Sequence, residues 1–315
     1  MNFQKIKPVE RADFYLDIAF RNAKKKANDL RRGKRESQVS WEKKKEIAKI
    51  NTARKVIGSK LQKVLDSFPQ IRDLDPFYVE LIKTTLDYDN LKKSLGALKW
   101  CIRKVDDLHR NYLKKIEKER NIKQLKSYRN QFYGRVSSIV KQINKELINL
   151  IKARKTMLTY PDVKNYFTVC IAGFPNVGKT TLLSKLTDST PEINSYPFTT
   201  KTLNIGYIQK NYKKIQLIDT PGTLNRLNKM NNIEKQAYLA IKYLSHMIIY
   251  IFDLTEPYPM KDQKKLLCEL KKFKKPILPY LSKTDILKQE TISEFEIDAI
   301  KDSELIRKRL VEKIT

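Results

Sequence analysis

Apolar residues recur along this chain at two different periods, and the change of period divides it. Between Leu91 and Ile116 they fall at Leu91, Leu95, Leu98, Ile102, Val105, Leu108, Tyr112 and Ile116. Steps of three and four residues lay one apolar stripe along a helix, here of about seven turns. Phe132, Val136, Ile139, Ile143, Leu147, Leu150 and Ile151 keep the same spacing and predict a second helical stripe. Residues 41–66 also read as helical, and Asp75-Pro76 starts a shorter helix through about Leu86, since proline fits the first turn. Pro69 and the run RRGKRES at 31–37 interrupt the pattern. Long helices joined by short turns imply an antiparallel bundle.

Past Tyr160-Pro161 the rhythm changes. FTVCIAG (167–173), LNIGYIQ (203–209), KIQLID (214–219), MIIYIFD (247–253) and PILPYL (276–281) are short apolar runs that alternate with helical patterns. Such runs read as buried strands of a largely parallel sheet. The expected fold is therefore α plus α/β. A helical bundle spans residues 1–160, and an α/β domain spans 161–315, with a mostly parallel sheet and helices on both faces. Ligands in such sheets sit at the carboxyl ends of the strands.

Charge adds a partner to this picture. The 315 residues carry a formal net charge of +30, unevenly placed. Residues 1–160 hold 40 Lys+Arg against 18 Asp+Glu, a net of +22, while residues 161–315 hold 25 against 17, a net of +8. An excess of that size in one half suggests a polyanionic partner, most simply nucleic acid. A bias in lysine use toward solubility is the competing explanation. Three scattered cysteines, no CxxC pair and two histidines argue against a zinc site or a disulfide framework and fit a reducing compartment. No run of 18 apolar residues exists and the N-terminus has no apolar leader core, so no membrane partner and a cytoplasmic location are expected.

The chemistry lies in the second half. GFPNVGKT at 173–180 fits G-x-x-x-x-G-K-[ST], between a predicted strand and a predicted helix. Its glycines, Gly173 and Gly178, let backbone N–H groups turn toward phosphate, and the helix start adds its positive dipole end. Val177, Gly178, Lys179, Thr180 and Thr181 line this run. Lys179 reaches the β- and γ-phosphates and Thr180 is a ligand for Mg²⁺. DTPG at 219–222 closes the strand KIQLID. Asp219 can hold Mg²⁺ through water, and the N–H of Gly222 can sense a γ-phosphate. NSYPFTTK at 194–201 offers Thr200, or Thr199 as the alternative, to complete the Mg²⁺ shell when GTP is bound.

SKTD at 282–285 follows PILPYL and decides the base. The Asp285 carboxylate can accept from N1–H and the exocyclic amine of guanine. Adenine offers a donor at neither position and would leave the carboxylate unpaired. Lys283 can lay its stem against the base. A last base-contacting loop is expected at 297–299, where Ile297, Asp298 and Ala299 follow a plausible strand and precede the final helix. A backbone N–H there could meet the guanine oxygen.

Taken together, these motifs resemble the Obg group of translation-factor-like GTPases, of which YPFTTK before the second strand is characteristic. FQKIKPVERADFYLDIAF (3–20), DSFPQIRDLDPFYVELIKTTLDYDNLKKSLG (66–96), GFPNVGKTTLLSKLT (173–187) and NNIEKQAYLAIKYL (231–244) resemble the nucleolar GTP-binding protein 1 family across nearly the whole chain. The resemblance implies a GTPase that helps mature the large ribosomal subunit, with its bundle against ribosomal RNA. It implies GTP or GDP with Mg²⁺ as ligands, a monomer away from the particle, and a short archaeal-type form. The chain departs from the group at three places. Thr223, followed by Leu224, stands where a hydrophobic residue is usual after DTPG and where Ras-type proteins have a water-orienting glutamine. Ser282 replaces an asparagine and can make fewer tethering bonds. Asp298 replaces a serine. Asn176 is shared with GTPases that recruit a potassium ion beside the phosphates, which implies slow hydrolysis stimulated by K⁺ or by the particle. The competing role for Asn176 is simply to turn the loop. A regulatory GTPase whose bundle binds a protein, and an RNA-binding protein with structural GTP, remain as rival functions.

Overall fold

The computed structural model describes residues 3–160, 162–164, 166–187, 204–210, 212–220, 238–255 and 258–313. The chain forms two compact units. One is made of Asn2–Asp73 and Leu86–Leu158, the other of Leu74–Thr85 and Thr159–Thr315.

The first unit is helical. It contains α1 (Ala12–Asn28), α2 (Gln38–Ser67), α4 (Tyr88–Lys118), α5 (Ile122–Gln142) and α6 (Asn144–Met157). The helix between α2 and α4, α3 (Pro76–Thr85), belongs to the other unit. The starts of α2, α4 and α5 are capped by side chains, and those of α1 and α6 are not: Ser37 accepts from the Ser40 N–H, Asp87 from that of Asn90, and Asn121 from those of Lys123 and Gln124. Each such cap stabilises its helix by about 1 kcal/mol. The antiparallel setting of α2 against α4 shows in their side-chain contacts. Lys43 Nζ donates to Glu117 O, His109 Nε2 bonds Asn51 Oδ1, and Arg54 Nε donates to Asp106 Oδ1. As one residue number rises the other falls by the same amount.

The buried seam of α4 is Leu91, Ser94, Leu98, Cys101, Val105, Tyr112 and Ile116. This is a 3.5-residue repeat, the seam of a left-handed crossing. Leu95 and Ile102, expected in the stripe, are only half-buried beside it, while Ser94 and Cys101 occupy its centre. The second stripe is also divided. It runs through a break at Ile143 (φ −88°, ψ 10°), where α5 stops and α6 begins, and next to the break the Asn144 side chain accepts from the Ala12 N–H. Glu46 is fully buried and neutralised by Lys49 at 2.6 Å and Arg129 at 3.0 Å, an ionic tie between α2 and α5.

In the second unit, β1 (Phe167–Ala172), β2 (Asn204–Lys210), β3 (Lys213–Asp219), β4 (Met247–Phe252) and β5 (Ile277–Leu281) form one sheet in the order β2-β3-β1-β4-β5. All pairs are parallel except the β2–β3 edge pair. These are the five runs expected from sequence. The central strands β1 and β4 are buried almost throughout, which is why they read as continuous apolar runs. The helices α7 (Lys179–Leu186), α8 (Met260–Lys271), the short α9 (Gln289–Ser293) and α10 (Ser303–Glu312) complete the unit. Leu182, Leu183, Leu186, Leu266, Leu270, Ile306 and Leu310 carry them onto the sheet core.

The helix α3 packs on this unit as well. It buries Phe77, Tyr78, Leu81 and Ile82 and lies against the π-helical turn Ala240–Leu244. The Tyr78 hydroxyl accepts from the Val163 N–H, and the Thr85 and Tyr160 hydroxyls bond each other. Among the described residues, no helix is long and apolar enough to cross a membrane.

Candidate functional site

The site gathers at the carboxyl edge of β1, β3, β4 and β5. Gly173 follows the last residue of β1, and a Cβ there would lie 2.9 Å from the Ile251 carbonyl oxygen of β4. Only glycine lets the loop leave that close to the neighbouring strand. Asn176 takes the left-handed backbone conformation, with φ 61°, which asparagine tolerates better than most residues. The asparagine therefore turns the loop, whatever else it does. Val177 is fully buried and anchors the loop from below. Gly178, with φ 89°, caps α7, and Leu182 N–H donates to its carbonyl at 2.9 Å.

Lys179 is the first residue of α7 and only 8% exposed. Its ammonium donates to the Phe174 carbonyl across the loop, so the cation is held inside the ring of backbone that the motif forms. Thr180 and Thr181 are exposed at the same helix start. N–H groups, helix dipole and lysine together favour a polyphosphate.

Asp219 ends β3 and is 6% exposed. Its Oδ2 accepts from Thr180 Oγ1 at 2.6 Å and from Asn204 Nδ2 at 3.1 Å. Its Oδ1 is buried with no hydrogen-bond partner among the described residues. Burial raises its pKa, while the Thr180 bond, the Lys179 charge and the Asn204 bond pull it back down. A carboxylate so raised weakens the ligand-free fold as pH rises above its unfolded value, because the folded state then holds the proton more tightly. An orphaned buried carboxylate oxygen beside a threonine hydroxyl fits a hard divalent cation such as Mg²⁺, directly or through water. Asn204 is a site residue that sequence reading missed. It sits opposite Asp219 in the β2–β3 register, and only that pairing brings it there.

The base motif lies beside the phosphate loop. A Cβ on Gly178 would be 3.9 Å from Ser282 Cβ. Ser282 is buried, and both its N–H (2.9 Å) and its hydroxyl (3.0 Å) donate to the Phe252 carbonyl. The serine thus keeps a tether to the end of β4. Lys283 has φ 54° and its Nζ lies 2.7 Å from Asp253 Oδ2 and 3.2 Å from Thr255 Oγ1. Asp285 is exposed.

The last loop sits differently from its expected place. Ile300 pairs with Tyr280 in parallel, its N–H donating to Pro279 O and its carbonyl accepting from Leu281 N–H. This pairing follows residues 297–299 instead of preceding them. In a parallel pair the chain beyond Ile300, residues 301–302, runs on to the edge that carries Ser282. Ile297 and Ala299, both half-buried, and the exposed Asp298 fall short of that edge. Thr199, Thr200, Gly222, Thr223 and Leu224 lie outside the described residues.

Comparison with known proteins agrees with this geometry. The family model described as the NOG1 N-terminal helical domain matches residues 3–164, and the one described as 50S ribosome-binding GTPase matches residues 168–283. Uncharacterized protein MJ1408 of Methanocaldococcus jannaschii is 40% identical over 297 residues, covering 92% of this chain and 83% of its own length. Nucleolar GTP-binding protein 1 of Drosophila melanogaster is 30% identical over 300 residues, covering 93% of this chain but 46% of its own length. Among solved structures, the G domain of the T. maritima FeoB iron transporter is 25% identical with a TM-score of 0.38, covering 48% of this chain and 99% of its own. The chain thus spans most of the archaeal relative and under half of the fly one. It belongs to the nucleolar GTP-binding protein 1 family, with the family's helical domain followed by a P-loop GTPase domain.

Proposed function

We propose that this GTPase is a nucleotide-dependent switch on the large ribosomal subunit or its precursor, and that its basic helical region docks on ribosomal RNA. The observation that carries the reading is the net charge of +22 on residues 1–160. A helical element lodged among RNA phosphates needs compensating cations of that order. The family and the description of the matching GTPase model support the particle as its destination. The protein works in the cytoplasm and is a monomer away from the particle.

In this reading Asn176, Val177, Gly178, Lys179, Thr180 and Thr181 hold the phosphates. Thr180 and, through water, Asp219 hold Mg²⁺, which neutralises phosphate charge, and Thr200 completes that shell with GTP bound. The Gly222 N–H reports the γ-phosphate. Ser282, Lys283 and Asp285 select guanine, and the last base-contacting loop lies just beyond the Ile300 pairing, at residues 301–302.

Co-sedimentation with large subunits and their precursors tests the proposal. Binding should be strong with a non-hydrolysable GTP analogue and weak with GDP. With six to ten phosphate contacts it should fall by about 10³–10⁵ between 50 and 200 mM salt. Absence of binding in every nucleotide state would end the ribosomal reading and favour a protein partner for the helical region.

Hydrolysis is slow in the isolated protein, and K⁺ held beside Asn176 or contact with the particle accelerates it. Positive charge placed where negative charge develops is worth about a hundredfold in rate. The same turnover in K⁺ and Na⁺ buffers would leave Asn176 with its loop-turning role alone.

A further inference from the structure

The lysine of the base motif is held from behind by a carboxylate that the motif does not contain. Asp253 follows the last residue of β4 and is fully buried. Its Oδ1 accepts from the Thr255 N–H at 2.8 Å and the Thr255 hydroxyl at 2.7 Å. Its backbone is clamped by Gln263, itself buried, whose Oε1 accepts from the Asp253 N–H and whose Nε2 donates to the Asp253 carbonyl. These bonds fix the carboxylate without any help from Lys283. They leave Oδ2 with no hydrogen bond among the described residues, and the Lys283 ammonium lies 2.7 Å from it as a charge contact. A buried carboxylate needs a counter-charge. Lys283 supplies it from a left-handed backbone, with its side chain 28% exposed.

We propose that Asp253 is a positioning residue for guanine recognition: it pins the Lys283 ammonium so that the stretched lysine stem stands ready as one wall of the base slot. The inference rests on the reading of residues 282–285 as the base motif. A free lysine side chain must be ordered when the base arrives. Ordering one such side chain beforehand is worth about tenfold in affinity. The gain applies equally to GDP and GTP, because it acts on the base and not on the phosphates.

The experiment measures GDP and GTP-analogue affinity, and thermal stability, for the full chain and for Asp253→Asn, Lys283→Met, the double variant and Asp285→Asn. Asp253→Asn should weaken both nucleotides equally, by about tenfold, and should cost nothing further in the Lys283→Met background. Lys283→Met alone strands the carboxylate and should melt lower than the double variant. Wild-type affinity in Asp253→Asn, or an equal loss in the Lys283→Met background, would overturn the proposal, since a purely structural aspartate behaves in the second way. If Asp253→Asn does not fold alone, the comparison of Lys283→Met with the double variant decides, and a less stable double variant counts against the pin. Normal GDP binding by Asp285→Asn would instead remove the base motif on which the inference stands. Loss of GDP binding by Asp285→Asn with Asp253→Asn unaffected would overturn the pin alone.

Discussion

Asp285→Asn is expected to lower GDP and GTP affinity by about 10⁴-fold, the discrimination shown by sites built to hydrogen-bond one particular group. The carboxylate accepts from two guanine N–H groups. An asparagine presents one donor in place of an acceptor, so one of the two contacts becomes N–H against N–H. Xanthine carries a carbonyl where guanine carries the amine, and that carbonyl accepts from the asparagine. The variant should therefore regain much of the lost affinity when offered XDP. Asp285 is exposed in the protein without nucleotide, so the change should leave the melting temperature almost unmoved. Titration of the folded variant with GDP and XDP checks this. Equal affinity of wild type and variant for GDP would remove Asp285 from base recognition.

Lys179→Ala is expected to weaken GTP by about 10²–10⁴-fold, since each hydrogen bond to a charged group contributes about 1.5–3 kcal/mol and the lysine serves two phosphates, and GDP, which lacks the γ-phosphate, by about 10–10²-fold. The fold should tolerate the change. Alanine has the highest helix propensity, so the first turn of α7 should persist although the side-chain bond to the Phe174 carbonyl and the charge beside Asp219 are lost. The full chain, and not a fragment of residues 1–160, is the molecule to use, because Leu74–Thr85 form part of the compact unit that contains the sheet. Nucleotide-independent RNA affinity should be the same for variant and wild type. A variant that binds GTP normally would contradict the phosphate role of Lys179, and one that loses RNA as well would tie the lysine to more than nucleotide.

The strands were legible because each is short, apolar and bounded by polar or turn residues, and β1 and β4 are buried on both faces. The helices were legible by period, with limits that have physical causes. The stripe of α4 could be read as starting from Leu91 on either flank. Packing chose the 3.5-residue seam that includes Ser94 and Cys101 and moved Leu95 and Ile102 to its edge. The apolar spacing across Ile143 continues through the break between α5 and α6 because Ile143 itself stays buried at the turn, and burial does not require a continuous helix. α1 has its core residues at Tyr15, Leu16, Ala19, Ala23 and Ala27, and a stripe made largely of alanine is a weak periodic signal.

By itself the sequence determined the chemistry that depends on residue type at fixed local spacing. That covers the glycines and lysine of the phosphate loop, the aspartate closing β3, the SKTD run that carries the proposed base contact at Asp285, and the excess of positive charge in the first half. Such features need no distant partner to be recognised, since the chain's own geometry sets which atoms a short motif can present. Tertiary structure decided what depends on residues far apart in sequence. It set Asn204 against Asp219 through strand register, joined α3 to the sheet unit, put residues 301–302 beyond the Ile300 pairing, and brought Asp253 under Lys283. Burial and counter-charge, which no local spacing encodes, select these contacts.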